Sequence, residues 1–137
     1  MNPVSVDMVD YLESYGDSSG FSLSLAYAKN LFIGTEPKDP IDCVTIYDTS
    51  GFAPDLNLTT QGYEKPSIQI RVRNKKYTTA MSLAEEIKNA LHGQSQVTLN
   101  GTLYSVIYCT SGPALLDYDN NGNARVVINF NLQRRVA

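Results

Sequence analysis

Between Lys65 and Gly93 the chain changes its hydrophobic period once, and the change defines two elements. Ile68, Ile70 and Val72 fall on one face at period two, with Gln69, Arg71 and Arg73 on the other, which predicts a strand half on a core. Pro66 stands near its start, where a missing N–H costs the ladder least. From Tyr77 the period lengthens: Tyr77, Ala80, Ala84, Ile87 and Leu91 recur every three or four residues as one apolar helix stripe. Glu85 and Lys88 form a favourable surface pair, and Gly93 is suited to the left-handed residue that ends a helix. His92 lies in the last turn, where a positive charge would complement the helix dipole.

The same test applied elsewhere predicts a first helix over residues 3–15, with Val4, Met8, Leu12 and Tyr15 on one stripe and Pro3 in the first turn. Gly16–Gly20 breaks that pattern as a loop. Residues 21–33 fit a strand or a helix, with Asn30–Ile33 expected to be extended. Pro37 and Pro40 bracket a turn, and Asp42–Tyr47 is a β-branched strand. Asp48–Tyr63 has no periodicity and is expected to be a long loop, of the kind that is usually functional or disordered. Gln96–Leu99 and Thr102–Tyr108 flank Asn100-Gly101, which is either a two-residue hairpin turn or a bulge in one bent strand. Leu115–Tyr118 is a possible short strand. The last strand is Arg125–Arg135, where Val126, Ile128, Phe130 and Leu132 alternate with polar neighbours. The expected fold class is α+β: one domain over residues 1–137, a mainly antiparallel sheet packed on one face by two helices.

Composition adds two facts. Only 18% of the 137 residues are charged, so much of the surface must be uncharged polar, which favours a protein that works against other proteins. The net charge of −3 conceals an asymmetry: residues 1–64 carry ten acids against two bases, and residues 65–137 nine bases against four acids. That is either chance clustering on a solvated surface or the basis of head-to-tail association between copies. Cys43 and Cys109 lie in apolar runs and are expected to be buried free thiols. The acidic N-terminus lacks a basic region before an apolar run, and no stretch approaches membrane-spanning length, so a cytoplasmic protein, or one in a particle assembled there, is expected.

Candidate chemistry is sparse. Asp117-Tyr118-Asp119-Asn120-Asn121-Gly122 matches the opening of a calcium loop, but the twelfth position is Ile128 where a bidentate Glu is required. A β-turn accounts for the run. The single His92 supports neither a histidine triad nor a two-histidine metal site, and Glu85 and Glu86 point about 100° apart on their helix. No phosphate-binding glycine motif is present. No catalytic residue, metal or cofactor is expected; a small enzyme has no positive feature in its favour. Arg71, Arg73, Lys75 and Lys76 form one basic cluster, which suits a subunit interface or, as the alternative, a small nucleic-acid-binding module.

Several ordered pieces carry a family resemblance: Asn30-Leu31-Phe32-Ile33-Gly34 before a proline, VTIYDTSG at residues 44–51, KPSIQIRVR at residues 65–73 leading into a helix with LAEEI, and a late DNNGNAR strand entry. Together, over most of residues 30–131, they resemble bacteriophage minor capsid and tail-completion proteins, including the tail terminators of long-tailed phages. The resemblance implies a small α+β structural protein of the virion. Its copies would form a ring, commonly a hexamer, that caps the tail tube at its head-proximal end and joins it to the neck or connector protein. Genomic DNA would pass through without specific binding. A neighbouring neck adaptor is the close alternative. On this reading Gln69, Arg71, Arg73, Lys75, Asp48 and Asp55 are the candidate interface residues, with the Asp48–Tyr63 loop reaching a neighbour or the tube.

Overall fold

The computed structural model describes residues 2–17, 21, 23–52 and 62–135. In chain order the elements are helix α1 (Val4–Asp17), strands β1 (Leu31–Ile33), β2 (Cys43–Phe52) and β3 (Tyr63–Asn74), helix α2 (Tyr77–Leu91), and strands β4 (Gln94–Leu99), β5 (Thr102–Tyr118) and β6 (Ala124–Arg135). The strands form one six-stranded sheet in the order β1-β2-β3-β6-β5-β4. Only the β1–β2 pair is parallel. This is the expected α+β architecture, and no helix among the described residues is long and apolar enough to cross a membrane.

Strand β3 lies near the middle because its alternation gives both neighbours something to pack beside. Ile70 pairs with Ile46 on β2 and Ile128 on β6, and Val72 with Val44 and Val126. All six side chains are fully buried. Met8 and Leu12 of α1 and Ala80, Leu83, Ala84, Ile87 and Leu91 of α2 cover this face as one core. The two helices are tied where Tyr11 Oη donates to the carbonyl of Ala90 at 3.1 Å. Each fully buried Leu, Ile or Phe of this layer contributes about 1.5–3 kcal/mol relative to exposure. The ends of both predicted stripes differ from expectation: Tyr77 and Tyr15 are 40% and 37% exposed. They stand in terminal turns, and Leu83 and Ala90 widen the α2 stripe instead. Tyr15 stacks between Tyr11 and Phe21.

Three further expectations are corrected. Gly16 and Asp17 belong to α1, while residues 18–20 lie outside the described residues. The expected loop at Asp48–Tyr63 is strand as far as Phe52, and β3 already begins at Tyr63; residues 53–61 lie outside the described part. Asp48–Phe52 escapes a periodicity search because all five residues are exposed. Its glycine is required by contact, since a Cβ on Gly51 would stand 2.0 Å from the Lys65 carbonyl oxygen. Finally, Thr102–Tyr108 and Leu115–Tyr118 are parts of one strand, β5, whose pairing with β6 slips at four places. Those bulges destroy the period that would have revealed its length. The hairpin reading of Asn100-Gly101 holds, with φ of 49° and 80°, as a two-residue turn between β4 and β5 requires. Gly93 likewise closes α2 at φ 86°.

Candidate assembly surface

The face of the sheet away from the helices carries Gln69 and Arg71, both half-buried. Alternation along β3 sends them there, and register brings partners from three other strands. Gln69 Nε2 donates to Asn129 Oδ1 on β6 at 3.1 Å, and Asn129 Nδ2 donates to Ser111 Oγ on β5 at 2.8 Å. Arg71 Nε donates to Gln69 Oε1 at 2.8 Å, while its guanidinium lies 4.8 Å from the centroid of the Tyr47 ring on β2. A second row runs parallel, with Ser67 Oγ donating to Asn131 Oδ1 and Asn131 Nδ2 reaching Tyr108 Oη at 3.5 Å. Amides and hydroxyls thus hold one another across three strands, and Arg71 joins the fourth through the Tyr47 ring. Side chains already fixed in this way lose less freedom when a partner covers them.

Arg73 does not join this surface. It is 6% exposed and its fork closes the connection between β1 and β2: Nη1 donates to Glu36 at 3.0 Å, Nε to the carbonyl of Ile41 at 2.9 Å, and Nη2 to the carbonyls of Pro37 and Pro40 at 2.6 and 2.9 Å. Only a planar five-donor group can satisfy carbonyls and a carboxylate in this arrangement. Glu36 accepts a second bond from Arg125 Nε at 3.0 Å, and Arg125 also reaches Asp117 at 3.2 Å. Arg134, on the buried face of β6, pairs with Glu64 at 2.9 Å. The acids of the first half therefore meet bases of the second half inside the folded chain. Part of the charge asymmetry that suggested attraction between copies is used within one copy.

The other candidates fall in different places. Asp48 accepts Ser5 N–H at 3.0 Å and Ser5 Oγ at 2.5 Å, so it caps the first turn of α1 from a strand distant in sequence. Lys75 is exposed after the end of β3, with its backbone N–H on Asp42 at 3.2 Å. Lys76 follows it, also exposed. The four basic residues are thus split between a ring-capped side chain, a buried fork and a loop, and do not form one nucleic-acid face. Asp55 lies outside the described residues.

The remaining motifs have internal partners. Asp119 accepts the N–H groups of Asn121 and Asn123 and the Asn123 side chain, each at 2.9 Å, and these bonds hold its carboxyl below the usual range. That is an Asx turn with Gly122 at φ 81°. Among the described residues no three His, Cys, Asp or Glu side chains are grouped to hold a metal ion. His92 Nδ1 accepts the Cys109 N–H at 2.9 Å, tying the end of α2 to β5. Cys43 is buried and Cys109 half-buried, both as free thiols. Burial raises both thiols above their ordinary range.

Sequence reasoning missed one buried polar cluster. Asp7, fully buried on α1, accepts a very short bond from Tyr104 Oη and another from Asn100 Nδ2 at 2.8 Å. Arg134 Nη1 stands 3.4 Å from the same hydroxyl and donates to the Asn2 carbonyl at 2.8 Å. The only available signal was parity: Arg134 continues the buried register of Val126 to Leu132, and a buried arginine requires an acceptor.

The model of the bacteriophage tail terminator protein family matches residues 11–136, from within α1 through the last strand. The chain belongs to this family. A chain of the virion of a native gene transfer agent particle is 13% identical, with a TM-score of 0.59 over 77% of this chain and 78% of that one. A second solved chain is 10% identical, with a TM-score of 0.55 over 94% and 92%. At such identities the likeness concerns the fold alone. No relative among curated proteins matches.

Proposed function

We propose that this protein terminates the phage tail as a structural component of the virion. Copies form a ring, a hexamer on the family pattern, that caps the head-proximal end of the tail tube, stops its growth and joins it to the neck protein. The ring assembles in the host cytoplasm and stays at the tail–neck junction, and genomic DNA passes through it without specific binding. The observation that carries this reading is the family match across residues 11–136. The pre-ordered outer face with Gln69, Arg71, Asn129 and Ser111 supports it, because it offers neutral donors and acceptors to a protein partner and groups no basic residues for DNA.

The test is assembly. Purified protein is expected to form a closed ring in light scattering and electron microscopy, and to halt tube growth when added to polymerising tail tube protein. A protein that stays monomeric at high concentration, and neither binds nor arrests the tube, would refute the proposal.

A further inference from the structure

The sheet has a stepped outline. Strand β1 covers only Val44–Ile46 of β2, so among the described residues Asp48–Phe52 has no strand on its outer side. At the opposite edge β4 covers only Thr102–Ile107 of β5, leaving Tyr108–Tyr118 without an outer strand among the described residues. Register relates the two steps. Val44, in the part covered by β1, stands in one row with Val72, Val126 and Leu115, so the overhang of β1 is level with the free part of β5. Tyr104, covered by β4 through Val97, stands in the row of Arg134 and Glu64, next to the pair Lys65–Phe52. The overhang of β4 is thus level with the Phe52 end of the free part of β2, while the rows of Asp48 and Thr49 run through Phe130 and Asn131 to Cys109 and Tyr108, past the end of β4. Each projection on one edge faces the height of a recess on the other.

The side chains at these steps are complementary. Leu115 and Leu116 are each 41% exposed on the free part of β5. Leu115 is opposite Val126, whose side chain enters the core, so it points to the helix-bearing side of the sheet. On the β1 edge a cleft of about 240 Å³ is lined by Val6, Val9, Tyr27 and Ile33, with Asp10 and Glu13 beside them. It lies between α1 and β1, on that same side. Three bulges and Pro113 make the free part of β5 a poor template for an arbitrary strand. They leave an apolar side chain as its means of contact, whereas β4 and the end of β2 are interrupted once each, at Gln96 (φ 52°) and between Thr49 and Phe52.

We propose that copies join head to tail through these steps: Leu115 of one copy enters the α1–β1 cleft of the next, and its β4 meets the Phe52 end of β2 in that neighbour. The contact is heterologous, so repetition gives a ring when the rotation closes, and strand addition supplies main-chain hydrogen bonds. This inference rests on the ring reading above and names its joint.

The test uses the full chain. Leu115→Glu places an anion beside Asp10 and Glu13 and is expected to leave a monomer that melts with the wild type, since residue 115 is exposed. Leu115→Lys, able to pair with those acids, is expected to retain assembly at least about tenfold better than Leu115→Glu. In wild-type rings the amides of Asp48–Phe52 and Gln94–Leu99 are expected to exchange more slowly than in the monomer. If wild-type rings form, Leu115→Glu assembles equally well and both segments exchange as in the monomer, this joint is wrong and the ring stands. If wild-type protein forms no ring even with tube protein, joint and ring reading fail together.

Discussion

Arg73 and Glu36 face each other at 3.0 Å with exposures of only 6% and 12%. The pair joins the end of β3 to the connection after β1. It is surrounded by backbone carbonyls that the same guanidinium satisfies.

Removing the arginine strands those carbonyls and leaves Glu36 with Arg125 alone. Arg73→Leu is expected to destabilise the protein by about 3–5 kcal/mol, the usual cost of breaking a buried pair from one side. Arg73→Lys is expected to recover little, because one ammonium cannot reach acceptors on both sides of the fork. Urea unfolding of the three proteins measures this. A loss under about 1 kcal/mol for Arg73→Leu, the range of an exposed ion pair, would mean that the fork is dispensable.

Gly51 tests the correction to the loop. Gly51→Ala drives a methyl into the Lys65 carbonyl and is expected to cost about 1–3 kcal/mol or more, as overpacking does. Thermal unfolding is the readout. An unchanged midpoint would show that β2 and β3 do not approach there as described.

Asp48→Ala separates capping from interface roles. If the carboxylate caps α1 within the chain, the loss is about 0.5–2 kcal/mol and faster amide exchange in the first turn of α1 accompanies it, both in the monomer. A residue acting only between copies would change assembly and leave monomer stability alone.

Tyr104 sets an alkaline limit. Burial, followed by the hydrogen bond to Asp7, raises its hydroxyl well above the ordinary 10.0. A folded pKa above the unfolded one contributes stability that is complete below about pH 10 and disappears as pH rises toward the folded value. Wild-type stability is therefore expected to fall above pH 10, and Tyr104→Phe to fall less steeply there. At neutral pH Tyr104→Phe is expected to cost about 1–3 kcal/mol by leaving Asp7 short of a donor. Parallel slopes for both proteins between pH 10 and 11.5 would contradict this.

On the outer face the expected pattern is the reverse. Gln69→Ala and Arg71→Ala remove half-exposed contacts and are expected to cost no more than about 1 kcal/mol each. If that face meets a partner, both weaken ring or tube association well beyond their effect on melting. Association unchanged in the double variant would remove Gln69 and Arg71 from the candidate interface.

What could be read from the residues alone follows from burial. The β3–α2 unit and β6 were legible because one side of each packs on a core, which writes a period into the sequence. Asp48–Phe52 was not, being exposed on every residue, and β5 was not, because each bulge resets its alternation. The surface Gln69 and Arg71 followed from parity. The same parity placed Arg73 outside, and failed there because a connecting loop folds over that end of the strand. Its acceptors, Glu36 and the carbonyls of Pro37 to Ile41, lie more than thirty positions away, and nothing local announces them. Charge counting by halves located the right attraction on the wrong scale: it operates between β3, β6 and their loops before any second copy is involved.

The bonds among Ser111, Asn129, Gln69, Ser67 and Asn131 join neutral groups, and Arg71, which donates to Gln69, rests on the Tyr47 ring. Dissolved ions screen charges and leave amide–hydroxyl bonds nearly untouched. A joint made on such a face is therefore expected to depend little on salt concentration.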